Sequence, residues 1–164
     1  MCEGSQPAEP KSCAQLQIEY AMLIKEQMRK QGVSVRCLVA EGILKKSHRT
    51  GFFKRIEEGS LFQGEITKIT KRLNIDPIRA AITVNCFDGA ESYEDPSCKT
   101  AAALAKTIGV ELREEMAAID GNFEGLHEGQ CKGLARRTVN EIARNHERVE
   151  AERDAIAEVG RAYG

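Results

Sequence analysis

Residues 32–77, GVSVRCLVAEGILKKSHRTGFFKRIEEGSLFQGEITKITKRLNIDP, decide how the chain folds. Near the middle of this stretch, Phe52, Phe53 and Ile56 set an apolar stripe on one helical face, and Gly59 supplies the left-handed residue that ends the helix. His48, Arg49, Thr50, Lys54 and Arg55 occupy the rest of that segment. Ser34 opens a helix before it, carrying Val35, Leu38 and Val39 and losing regularity near Gly42. Ser47 or Thr50 is the expected cap of the basic helix, which is read as running to Glu58. Ser60 and Gln63 have the spacing of a capping box for the next helix, whose stripe is Phe62, Ile66, Ile69 and Leu73. The pattern is a short helix, a turn, a short basic helix and a bracing helix. Phe52, Phe53, Ile56, Leu38 and Ile66 are expected in the core.

Working outward, residues 1–13 are polar with two prolines and read as a flexible N-terminus. A first helix spans 14–31, with Leu16, Tyr20, Leu23, Ile24 and Met28 at helical spacing and Gly32 as its stop. Downstream, Asn74 stops the fourth helix. Asp76-Pro77 then places a cap and a first-turn proline at the head of a fifth, running to about Val84. Residues 85–95, NCFDGAESYED, read as a linker. Asp95-Pro96 repeats the device and opens a sixth helix bearing Ala101, Leu104, Ala105, Ile108, Leu112, Met116 and Ile119. After a break at Asp120-Gly121-Asn122, a seventh helix is clearest from Lys132 to Val159. In it Ala135, Ile142, Val149 and Ile156 recur every seven residues, while Val139, His146 and Arg153 fill the companion position. That is half a heptad pattern, so residues 96–164 are read as a helical hairpin used for dimerisation or partner binding. The fold class is all-α.

The net charge of −1 conceals an asymmetry. Lys25 to Arg79 holds 13 Lys and Arg against 6 Asp and Glu; Glu91 to Gly164 holds 10 against 15. A basic module joined to an acidic one suits a nucleic-acid contact with a separate partner surface. No apolar run approaches the length of a membrane span, and no secretory signal core is evident, so a cytoplasmic protein is expected. The six cysteines (2, 13, 37, 86, 98 and 131) contain no Cys-x-x-Cys pair and read as reduced thiols, with Cys37 and Cys131 expected to be small buried residues.

Several of these pieces coincide with one family. Gly32-Val33-Ser34, Leu38-Val39-Ala40, Phe53-x-x-Ile56-Glu57-x-Gly59 and Ile66-x-x-Ile69-x-x-x-Leu73-Asn74-Ile75-Asp76-Pro77 resemble the lambda-repressor/Cro (xenobiotic-response-element type) helix-turn-helix family. The resemblance covers residues 15–84, about half the chain. It implies a five-helix DNA-binding domain over 14–84. The chain departs from the family's compact unit by carrying several extra residues between Gly42 and His48.

Carried onto this sequence, the resemblance makes Arg49 and Thr50 the base-contact candidates, with His48 able to join them. Lys45, Lys46, Lys54 and Arg55 are the phosphate candidates, and Ser34 could bond a phosphate from the head of the second helix. The function implied is a sequence-specific transcriptional regulator, a repressor binding double-stranded DNA as a homodimer, with a possible protein partner for the C-terminal half. The alternative is a protein-interaction adaptor using the same fold without DNA. An enzyme is not expected: no phosphate-binding loop, nucleophile elbow or dinucleotide fingerprint is present. Glu124-x-x-His127 is a single copy of a motif that di-iron sites need twice. His127 and Cys131, with Cys98 or Cys86, lack the close cysteine pair of a zinc site. No metal or cofactor is expected.

Overall fold

The computed structural model describes residues 11–61, 63–119 and 123–162. Among them the chain forms α1 (Cys13–Lys30), α2 (Val35–Ala40), α3 (Phe52–Glu57), α4 (Gln63–Arg72), α5 (Pro77–Cys86), α6 (Pro96–Ala118) and α7 (Glu128–Ala162). Two 3-10 turns, Lys46–His48 and Ala90–Glu94, complete the set, and no described residue lies in a strand. The all-α expectation therefore holds. No helix among these residues is long and apolar enough to cross a membrane. Residues 1–10, Phe62 and the 120–122 break lie outside the described residues.

Local signals place the helix ends. Ser34 caps α2 by accepting from the Cys37 N–H, and Asp76 caps α5 by accepting from the Arg79 N–H behind Pro77. Four successive helices, α1 to α4, close on the same paired bonds, with a left-handed residue just past the end. At the end of α3, for example, the Gly59 N–H donates to the Ile56 carbonyl and the Ser60 N–H to the Arg55 carbonyl, at 2.9 and 2.8 Å. Asn74, with φ 50°, does at the end of α4 what glycine does elsewhere. The Ser60 hydroxyl also reaches the Arg55 carbonyl. Ser60 thus finishes α3, and the expected capping box is not used because α4 begins only at Gln63.

Contacts divide the chain into two compact units, Met1–Ala117 and Ala118–Gly164. The core of the first is built from Leu23, Ile24 and Met28 of α1, Leu38 of α2, Phe52 and Ile56 of α3, and Ile69 and Leu73 of α4. Phe53 and Ile66 pack at its margin, half-buried.

Three boundaries differ from those expected. Residues 85–95 are not a linker: Ala90 and Tyr93 are core residues, and Tyr93 is 1% exposed. The Tyr93 phenol oxygen accepts the Asp76 N–H at 2.7 Å, and the Arg79 guanidinium lies 3.7 Å above its ring. Burying such a side chain contributes roughly 1.5–3 kcal/mol, enough to bind the turn to α5.

Second, α6 belongs to the first unit and not to a C-terminal hairpin over 96–164. Cys98 and Ala102 are buried, Cys98 lying 3.2 Å from the Thr83 hydroxyl, and Lys106 pairs with Asp76. The reason is size: two small side chains let α6 approach α5. Farther along α6, Ile108 and Leu112 of the expected stripe are exposed, as is Ile119 just past its end.

Third, the start of the fold reaches back into the supposed flexible N-terminus. The Lys11 ammonium donates to the Val84 carbonyl at 2.8 Å and pairs with Glu19 at 2.7 Å, and Ser12 caps α1.

Candidate nucleic-acid interface

From Lys45 to Ile56 the sequence contains five Lys and Arg and no acidic residue. How that segment is held decides what it can touch. It leaves α2 through Gly42, after which the Ile43 and Leu44 N–H groups both donate to the Leu38 carbonyl, at 2.9 and 3.1 Å. Leu44 is buried and anchors the near end. Phe52, also buried and edge-to-face with Phe53 at 4.9 Å, anchors the far end.

Between the two anchors stands one carboxylate. Glu65 of α4, 7% exposed, accepts the Lys45 N–H on Oε1 at 3.1 Å, and its Oε2 lies 2.8 Å from His48 Nδ1. An ionised carboxylate only accepts, so Nδ1 carries the hydrogen of that bond. Burial pushes the Glu65 carboxyl up, but the Lys45 N–H and the His48 ring outweigh it and hold the group below the ordinary carboxylate range. Glu65 therefore grips both ends of the 3-10 turn Lys46–His48. Lys46, Ser47, Arg49 and Thr50 are left exposed on its outer side.

Arg49 and Thr50 are exposed, as a base contact requires, but they precede α3 instead of leading it. Neither Ser47 nor Thr50 caps that helix; Gly51 does, at φ 70°, because the chain must reverse between the turn and Phe52. α3 itself has six residues. His48 turns inward to Glu65, with 13% of its side chain exposed, where Arg49 and Thr50 on the same segment are open to solvent. Lys45 and Lys46 are exposed beside it. Lys54 is exposed and 3.6 Å from Glu58 one turn on, an ion pair that solvent largely screens. Arg55 is half-buried. Ser34 is exposed, but its hydroxyl oxygen already accepts the Cys37 N–H at 3.2 Å and lies 3.1 Å from the Cys37 sulfur. The structure brings residues 45–50 together on one turn, and α3 carries Lys54 and Arg55 immediately after it.

No family model, no curated protein and no solved structure matches this chain.

Glu65, the buried carboxylate beneath the candidate turn, is the residue that the sequence reading passed over. Its signal was present: Glu65, Ile69 and Leu73 form an i, i+4, i+8 row, and a charged residue on a buried row needs a partner. Two thiols were also misplaced. Cys37 and Cys131 are exposed, not buried. Cys37 lies on the outer face of α2, where the Ser34 hydroxyl lowers its thiol below the ordinary range. Among the described residues no three His, Cys, Asp or Glu side chains gather in a way that could hold a metal ion.

Proposed function

We propose that the first unit is a lambda-repressor-like DNA-binding module and that the protein is a sequence-specific transcriptional regulator, a repressor acting as a homodimer. The observation that supports this most is the acid-free cationic turn, gripped from beneath by Glu65 and presented outward between Leu44 and Phe52. On this reading Arg49 bridges guanine O6 and N7, and Thr50 meets a neighbouring base edge or thymine methyl. Lys45, Lys46, Lys54 and Arg55 contact phosphates on either side. One small module binds too weakly for regulation, so a second copy on an adjacent half-site supplies the rest, and repression follows from occupying a promoter.

The test is a genomic pull-down with gel shifts, wild type beside Arg49→Ala. Wild type should enrich defined sites with salt-sensitive affinity, and the variant should lose them. Equal enrichment of the same sites by both proteins would remove Arg49 from the reading role. A second reading, a protein-interaction adaptor, draws on the exposed apolar residues of α7. Absence of salt-sensitive DNA affinity at low ionic strength would favour it.

A further inference from the structure

α7 is 35 residues long, about 50 Å of helix at 1.5 Å per residue. Leu134, Val139, Ile142, Ile156 and Val159 along it are exposed. Ile142 and Ile156 fall in one row with Ala135 and Val149, an apolar residue every seventh position, while His146 and Arg153 interrupt the companion row beside Val139. The seven-residue spacing drifts about 20° per heptad around a straight helix, the drift that a left-handed supercoil with another helix removes. A stripe of this kind is completed by burial against a second apolar face.

The charges say which face. From Glu128 to Arg144 the helix carries four Lys and Arg against two Glu; from Asn145 to Ala162 it carries three Arg against five Asp and Glu. Three ion pairs within the helix, Lys132–Glu128, Arg144–Glu141 and Arg153–Glu150, each cancel one charge of either sign and leave this imbalance intact. Two copies side by side in the same direction would set like net charge against like along their whole length. In opposite directions the basic half of each lies along the acidic half of the other, and the helix dipoles oppose favourably.

We propose that α7 is a self-association helix whose partner is a second copy of α7, running antiparallel with Ala135, Ile142, Val149 and Ile156 in the seam. This rests on the homodimer of the proposed function but not on DNA binding, so the two are measured separately.

The experiment uses the full chain. Sedimentation and light scattering over the micromolar range should show a dimer, and Ile142→Asp with Ile156→Asp should make it monomeric with helical content retained. The variant is expected to fold because both side chains are exposed. For direction, Arg161→Cys is introduced opposite the native Cys131. Isotopically light and heavy chains are mixed, mildly oxidised and mapped by peptide mass. Cross-links between position 131 of one chain and position 161 of the other are expected. Arg136→Glu with Arg137→Glu should weaken the dimer roughly tenfold, and adding Glu152→Arg with Asp154→Arg should restore it. A monomer at every concentration, a dimer that survives the aspartate pair, or a dominant 131-to-131 cross-link would each overturn the proposal. Gel shifts on the same samples report the DNA reading independently: a monomer with salt-sensitive DNA affinity would retire the α7 pairing alone.

Discussion

Glu65 and His48 meet at 2.8 Å, with only 9% and 13% of their side chains exposed, across 17 residues of sequence. The same carboxylate accepts the Lys45 N–H. One buried acid thus fixes the turn from which Arg49 and Thr50 project.

Glu65→Ala should therefore do two things. It removes the bonds that Glu65 accepts from the Lys45 N–H and His48 Nδ1, at a cost of about 1–3 kcal/mol. It also frees the turn, so DNA affinity should fall further than the loss of folded protein explains. Chemical denaturation and a gel shift at matched folded fraction measure the two effects. Glu65→Gln, which keeps one acceptor oxygen, should lose less of both.

Acid should weaken the first unit in a defined direction. The Glu65 carboxyl is held below its unfolded value, despite burial, by the Lys45 N–H and His48. Asp76 behaves alike: burial raises it, and Lys106 and the Arg79 N–H lower it further than burial raises it. A carboxyl depressed in the folded state contributes stability above its unfolded pKa, about 4, and loses it as pH falls through the folded value. Urea midpoints should be flat from pH 7 to 5 and drop below about 4. Glu65→Gln should make that drop shallower.

Lys46 and Lys54 should act on DNA without choosing sequence. Replacing either by alanine should weaken binding to all sites about equally and reduce the salt-dependence slope by about one unit each. Arg49→Ala should instead cost about 1–3 kcal/mol at its preferred base and relax discrimination there. Gel shifts across a salt series, on the preferred site and on a scrambled one, separate the two behaviours.

A fragment ending near Ala117 should fold cooperatively, and one ending at Val84 should not. The longer piece keeps Tyr93 over Asp76 and Arg79, and Cys98 against Thr83. Within the full chain, Tyr93→Phe removes the acceptor of the Asp76 N–H and should cost about 1 kcal/mol. Tyr93→Ala should cost about 3–5 kcal/mol. Thermal melts check all four.

What was legible in the sequence was local. Ser34, Asp76-Pro77 and Gly59 act on backbone groups within a few residues, so their types and spacing suffice to place helix ends. The Glu65–His48 bond was not legible, because it joins two elements whose approach only the packed core defines. Tyr93 was hidden in an acidic, turn-forming stretch that offers no apolar period, yet its ring fills the base of α5. Cys98 and Ala102 are too small to stand out in a stripe, although smallness is what lets α6 dock. The larger residues farther along α6 gave the clearer period and remain exposed. At the candidate site the basic character of 45–55 was plain. The left-handed break at Gly51 was not, since Ser47 and Thr50 are both residue types that cap helices and drew the expected helix start to themselves.

That left-handed glycine has an evolutionary side. Because Gly51 separates the exposed turn from α3, the side chains at positions 46, 47, 49 and 50 lie outside α3 and fill no part of the core. They can be exchanged wholesale while Leu44, Glu65 and Phe52 keep the frame. On the DNA-binding reading proposed above, drift at these four positions would change the target with the scaffold inherited unchanged.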